Sequence, residues 1–400
     1  MGNRPSYIVA PLSVCSLYLF YVHIYCAHRR LKANAVSSDK LPSVVYLYLR
    51  YCTRVLTRRT GRLNESAAAH RSDLVYTILN CRLETLLLRR FCRAAGYGWD
   101  YPDTEYRDIP LCFPEFLCGR LLLMLLTDEN FGLNPAGLVR VRQSLKTFEP
   151  VDELKKGPFM LQAQVLSYQQ TDAGVEVDVC LSATSRSGCP VWESVLTLLS
   201  ENKLHKASTH LPRNDSKNEQ RFGDFCSKLF AFLHQEKYYC LPLKVATLHL
   251  LFTLITITYM GFFVLAGHPP DEPENVKQVE LRVPRTVELR CPWSFSDYSP
   301  RRLLSLPARF FGYRSQATPS LWMLSVCLAE IEKHKGVDII TAPVSISVQF
   351  KEPLLVPGKV TISFWEEVKD GAQSSARGLN FHMEEQAGSM SHILGLISRS

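Results

Sequence analysis

Between Ser294 and Trp322 the chain reads SFSDYSPRRLLSLPARFFGYRSQATPSLW, and three of its residues could do chemistry: the carboxylate of Asp297, the hydroxyl of Ser299 and the guanidinium of Arg302. Asp297 could accept a hydrogen bond from a water and orient it. Arg302 could not serve as a general base, because a guanidinium stays protonated in proteins. It could pair with Asp297, or with a phosphate or carboxylate of a ligand. In such a pair Asp297 would be a poor base, since the adjacent positive charge favours its ionised form. Three histidines, His334, His382 and His392, could supply a base from elsewhere. Each is isolated in sequence, and an isolated histidine on a strand is more often a surface or satisfied core residue. There is no G-x-S-x-G elbow, P-loop or G-x-G-x-x-G, so hydrolase, nucleotide-dependent and dinucleotide readings lack support. The thirteen cysteines contain no C-x-x-C pair. No metal site, disulfide framework or cofactor is expected from them, and reduced, buried thiols facing the cytosol are the simpler reading.

Two kinds of element must hold these residues. Val175, Val177, Val179 and Leu181 alternate with polar neighbours, as do Val344, Ile346, Val348 and Phe350. That period of two predicts half-buried antiparallel strands. Apolar helices are expected over Phe116 to Leu126 and over Leu321 to Ile331. Each half therefore reads as a helix with a sheet, an α+β organisation, and 400 residues at 46% hydrophobic content suffice for two such cores.

In wording and order the Ser294–Trp322 stretch resembles the MaoC-like, or hydratase 2, family of double hot-dog proteins, whose pattern runs S-G-D-x-N-P-I-H, then L-A-A-R-x-F-G-F, then A-H-G-M-W. The family's aspartate falls on Asp297 and its proline on Pro300, but its asparagine falls on Ser299 and its histidine on Arg302. The second element survives as Pro307-Ala308-Arg309-Phe310-Phe311-Gly312-Tyr313, while H-G-M-W has become Pro319-Ser320-Leu321-Trp322. Earlier, Leu111-Cys112-Phe113-Pro114, Thr127-Asp128 and Gly137-Leu138-Val139-Arg140-Val141-Arg142 match the N-terminal half's L-A-F-P, L-T-D and G-L-V-H-V-R-N, again with arginine, Arg140, for histidine. The resemblance implies two helix-in-curved-sheet units paired around one acyl-thioester tunnel. It also implies descent from (R)-specific enoyl-CoA hydratases whose water is held by an Asp and a His, with an oxyanion site near H-G-M. On that footing Asp297 is the remaining catalytic candidate, and Ser299, Arg302, Ser320, Leu321 and Trp322 are candidates for binding substrate. Trp322, Phe310, Phe311 and Tyr313 read as core packing ahead of pocket lining, since aromatics dominate cores. The reading is an impaired hydratase relative that binds an acyl thioester, on CoA or a carrier, or a lipid. The alternatives are a working hydratase or dehydratase using Asp297, and a structural membrane protein without ligand.

The net charge of +8 arises from 46 basic against 38 acidic residues, with Arg29, Arg30, Lys32, Arg50, Arg54, Arg58, Arg59 and Arg62 gathered near the N-terminus. Nothing interleaves them with stacking aromatics, which argues against nucleic acid and for an anionic lipid surface. Residues 1–32 include an uncharged run from Tyr7 to His28, about long enough to cross a hydrocarbon core of roughly 30 Å or to be a buried helix. Residues 33–105 form a basic region expected to be helical, with an amphipathic helix over Leu41 to Arg59 lying on a bilayer or solvated, and a second helix over Ser72 to Ala95. The N-terminal hot-dog half spans 106–201 and the C-terminal half 281–400. The linker, 202–280, holds the most apolar stretch, Val245 to Gly267. A single crossing there would put the two halves on opposite faces of a membrane, so the expectation is membrane association without a separating crossing, both halves cytosolic. The oligomeric state is not legible.

Overall fold

The computed structural model describes residues 18, 21–31, 35–59, 61–63, 74–97, 109–135, 138–202, 276–283, 316–367, 378–386 and 390–399. Their strands are β1 (Ala35–Ser37), β2 (Val75–Cys81), β3 (Leu138–Thr147), β4 (Phe159–Thr171), β5 (Gly174–Thr184), β6 (Pro190–Glu201), β7 (Lys277–Val283), β8 (Gln316–Ala317), β9 (Val344–Phe350), β10 (Leu355–Val356), β11 (Gly358–Glu367), β12 (Gly378–Glu385) and β13 (Ser391–Arg399). The helices are α1 (Cys26–Leu31), α2 (Val44–Thr57), α3 (Thr85–Ala95), α4 (Phe113–Leu117), α5 (Gly119–Leu126) and α6 (Ser320–Lys335). The period-two runs behave as expected. Val175, Val177, Val179 and Leu181 are buried on one face of β5, and Val344, Ile346, Val348 and Phe350 on one face of β9.

Eleven of these strands form one sheet in the order β1-β2-β4-β5-β6-β3-β9-β13-β12-β11-β7, and β8 pairs separately with β10. All pairs are antiparallel except β1 with β2. The centre of the sheet is the β3–β9 pair, running from Arg142 opposite Gln349 to Thr147 opposite Val344, and it joins the two halves of the chain edge to edge. On one side lies a unit of β2, β4, β5, β6 and β3 packed on α4 and α5. On the other lies a unit of β9, β13, β12, β11 and β7 around α6. Helix α6 is buried continuously from Leu321 to Ala329, as a helix enclosed on all sides must be, which explains why its apolar residues show no single stripe. The inward residues Val360, Ile362, Phe364, Phe381, Met383, Ile393 and Ile397 belong to the same core. This is an α+β, double hot-dog arrangement.

The basic region differs from its expected form. Ser72 to Ala95 is not one helix, because Val75–Cys81 is a strand that pairs antiparallel with β4 and extends the sheet of the first unit. Tyr76 and Ile78 are buried at alternate positions, a strand's period, and only Thr85–Ala95 is helical, closed by Gly96 at φ 84°. Helix α2 is amphipathic as expected, but what covers its apolar face is protein: Tyr46, Leu47 and Tyr51 lie in the core. Its arginines are similarly engaged, with Arg58 donating to the carbonyls of Leu133, Asp128 and Glu129, and Arg54 to Thr127 O and the Glu129 carboxylate. Helix α1 turns Ala27 and Leu31 into the same core. Among the described residues no helix is long and apolar enough to cross a membrane; the stretch from Val245 to Gly267 lies outside them.

Candidate functional site

The deepest polar chemistry in the described residues sits beneath the β3–β9 seam. The α4 turn begins with Pro114 in its first turn, where a missing N–H is harmless, and this directs Glu115 inward. The Glu115 carboxylate receives Arg140 Nη2 at 2.7 Å, the two side chains being 3% and 6% exposed. Gln143, one strand face along β3, accepts from Arg140 Nη1 at 3.1 Å and donates to Glu115 Oε2 at 2.7 Å and Ser194 Oγ at 3.0 Å. The Arg140 guanidinium also lies over the Phe350 ring of the second unit, 5.9 Å from its centroid. Ordinary alternation is broken by a bulge between Arg140 and Arg142, and this lets Arg140 and Gln143 share the inner face. A permanently charged guanidinium locked in this way has no proton to exchange, so the network can organise the seam or hold a negative group but cannot perform acid–base catalysis.

The network is continued by two buried groups. Cys112, one turn before Glu115, has its thiol pushed up to about 12 by burial and by the Glu115 carboxylate, partly offset by a hydrogen bond with Ser325 and by Arg140. Burial raises Cys118 and Cys327 in the same direction. These remain neutral thiols and are not nucleophiles. Ser325, on α6, donates to Leu321 O at 2.7 Å and so ties the network to the first turn of that helix.

The head of α6 is positioned by the β8–β10 pair, which sets Ala317 opposite Leu355, and by Thr318 N donating to Leu354 O at 2.6 Å. Pro319 caps the helix in an extended conformation and gives no side-chain cap, so the first-turn N–H groups have no acceptor from within the helix. Beside them Thr318 is 6% exposed and its hydroxyl is buried without a hydrogen-bond partner. Helix-start donors and an unpaired hydroxyl together suit an oxygen carrying partial negative charge.

Of the residues singled out in the sequence, Ser320, Leu321 and Trp322 stand in this first turn. Ser320 is half-buried, while Leu321 and Trp322 are buried, and Trp322 Nε1 donates to Ala94 O at 2.8 Å, tying α6 to the end of α3. Asp297, Ser299 and Arg302, with Phe310, Phe311 and Tyr313, lie outside the described residues. His334 is exposed at the end of α6, its ring 6.0 Å from that of Phe364. His382 and His392 are on β12 and β13 as expected. Thr318, Glu115, Gln143 and Ser194 went unnoticed in the sequence. A lone acid inside the apolar run Phe113 to Leu126 was the available signal for Glu115. No group of histidine, cysteine, aspartate and glutamate among the described residues could hold a metal ion.

By sequence, neither a family model nor a curated protein matches the chain. By structure it is similar to a MaoC-like dehydratase from Phytophthora capsici, with a TM-score of 0.53 at 14% identity over 84% of this chain and 99% of that one. A second MaoC-like dehydratase gives 0.52 at 11% identity, covering 82% of this chain and 98% of the other. At such identities the likeness is one of fold. The chain has the double hot-dog fold of the MaoC-like dehydratases.

Proposed function

We propose that this protein binds an acyl thioester at the head of α6 and has lost most or all of the hydratase activity that the fold supports in MaoC-like enzymes. The observation that carries the reading is the buried, unpartnered hydroxyl of Thr318 beside a helix start without a side-chain cap. A thioester carbonyl oxygen placed there would accept from Thr318 and from first-turn N–H groups, with Ser320, Leu321 and Trp322 shaping the site; Ser299 and Arg302, earlier in the sequence, are the further candidates for binding it. Hydration also needs a base to take a proton from water. The pattern's histidine positions hold Arg302, Pro319 and Arg140 in this chain, so Asp297 stands without its partner.

The test pairs binding with turnover. Titration with a saturated acyl-CoA should show binding, and Thr318→Val should weaken it about tenfold, the equivalent of one hydrogen bond of ~1.4 kcal/mol. Supplied with short and long trans-2-enoyl-CoA, the wild type should be silent and Arg302→His should gain hydration that Asp297→Ala abolishes. Wild-type turnover that vanishes in Asp297→Ala would overturn the impaired reading in favour of a working hydratase, and absence of binding to every acyl-CoA would sink the thioester reading altogether.

We also propose that the N-terminal segment meets a lipid surface. Tyr18, Tyr21 and Tyr25 are 66%, 56% and 54% exposed at helical spacing, with Tyr21 and Tyr25 stacked at 5.6 Å, while Ile24, Ala27 and Leu31 turn the opposite side into the core. Tyrosines with a ring to bury and a hydroxyl to keep wet favour the bilayer interface. In flotation with phosphatidylserine-containing vesicles, changing all three tyrosines to serine should reduce the vesicle-bound fraction several-fold. An unchanged fraction counts against this surface.

A further inference from the structure

On the sheet face turned away from α6, three side chains form a chain of contacts that the interior site does not use. Strand β12 presents His382 and Glu384 at alternate positions, and the His382 Nδ1 atom lies 2.5 Å from Glu384 Oε1. The other ring nitrogen, Nε2, lies 2.7 Å from Ser391 Oγ on β13. A carboxylate at Nδ1 fixes the proton there, which leaves Nε2 as the acceptor of the serine proton. The register explains how they meet. Met383 pairs with Ile393 but Glu384 pairs with Ser391, so His392 is an extra residue in β13 and the bulge brings Ser391 to the face of His382.

The surroundings are those of a site. Leu394, directly across from His382, and Asn380, two positions before it, line a depression of about 540 Å³ that runs over the seam between the units, with Leu396, Val195 and Trp365 as its apolar lining. Ser363, paired with His382 across β11, adds a hydroxyl on the same face. His392 is 2% exposed; its Nδ1 lies 3.0 Å from the Glu352 carbonyl and so carries the proton, and its Nε2 is a buried acceptor without a partner. Burial lowers the pKa of both histidines, which keeps the His382 ring neutral and able to accept a proton.

We propose that Ser391, His382 and Glu384 form a base-activated serine that accepts short acyl groups from activated esters or thioesters. His382 Nε2 takes the Ser391 hydroxyl proton as Oγ forms a bond to the acyl carbon. The bond from that carbon to the leaving oxygen or sulfur then breaks, and the proton passes from His382 to the leaving group. The groove beside Leu394 holds the acyl chain. Water then releases the acyl group as the free acid: His382 takes its proton as it attacks the acyl carbon and returns that proton to Ser391 Oγ as the acyl–Oγ bond breaks. Nucleophile, base and orienting carboxylate in hydrogen-bond sequence are the recognised requirement for this chemistry.

The whole protein would be treated with a fluorophosphonate and, separately, with p-nitrophenyl acetate and butyrate. The phosphonate should modify Ser391, located by peptide mass spectrometry, and each ester should release a burst of about one equivalent of nitrophenol per chain. Ser391→Ala should abolish both signals, and His382→Gln should slow acylation at least about a hundredfold, the usual contribution of a general base. Glu384→Gln keeps the shape but not the charge at Nδ1 and should slow it too, with the melting temperature close to that of the wild type. Modification spread over other serines, or a rate at Ser391 indifferent to His382→Gln, overturns the proposal. Neither readout requires a ligand at the head of α6, so loss of the thioester reading there would leave this test standing.

Discussion

Replacing Glu115 with alanine is expected to lower stability by about 3–5 kcal/mol, because it leaves the Arg140 guanidinium buried without its carboxylate. The pair is 2.7 Å apart and nearly inaccessible to water, and Gln143 has its amide committed to both partners and to Ser194. Arg140→Ala should have a comparable effect from the other side. The double variant Glu115→Leu with Arg140→Met should behave differently: removing both charges and filling the space with apolar atoms should recover most of the loss, since a buried ion pair contributes little net stability over a well-packed apolar one. Urea unfolding of the wild type and the three variants measures the two losses and the recovery. If the single variants lost less than about 1 kcal/mol, the network would have to be hydrated in solution, and its role in rigidifying the seam would fall.

How much of this could be read beforehand depends on whether one period of the sequence settles the matter. The paired units were legible because the alternations at Val175–Leu181 and Val344–Phe350 admit one geometry, and the motif order suggested their pairing. Strand β2 is hard to separate from the helix after it because Val75, Tyr76, Ile78 and Leu79 are followed by Leu83 and then Leu86, Leu87 and Leu88 with no glycine or proline between them to mark the break. Helix α2 shows a different gap: its periodicity gives the apolar face at Tyr46, Leu47 and Tyr51 but not whether lipid or protein covers it. The site suffered most. Arg140 was noticed as a histidine replaced, but its partner Glu115 is twenty-five positions away and is joined to it only by the bulge that turns Arg140 inward. His382 likewise looked isolated, since Ser391 reaches it through another bulge that no periodicity announces.

Adding one methyl group at Gly395 should be among the most disruptive small changes in the second unit. Gly395 sits opposite Phe381 in the β12–β13 pair, and a Cβ there would fall 2.0 Å from the Phe381 Cζ atom, with two further ring atoms within 2.7 Å. The ring cannot retreat easily, because Phe381 is 1% exposed in the close-packed core with Ile393 and Ile397 on the adjoining strand. Gly395→Ala should therefore cost about 1–3 kcal/mol, the usual range for overpacking, against the modest gain that alanine brings to a strand elsewhere. Phe381→Leu alone should also destabilise, by leaving a cavity. Combined with Gly395→Ala it makes room for the new methyl, so the double variant should be more stable than the sum of the two losses predicts. Denaturant midpoints of the four proteins give the coupling directly, and strict additivity would mean that the ring moves aside at no cost and that the close approach of Phe381 does not fix the glycine. Phe381 stands between Asn380 and His382 on β12, so the double variant also tests how firmly the sheet holds the outer face on which Ser391 and His382 meet.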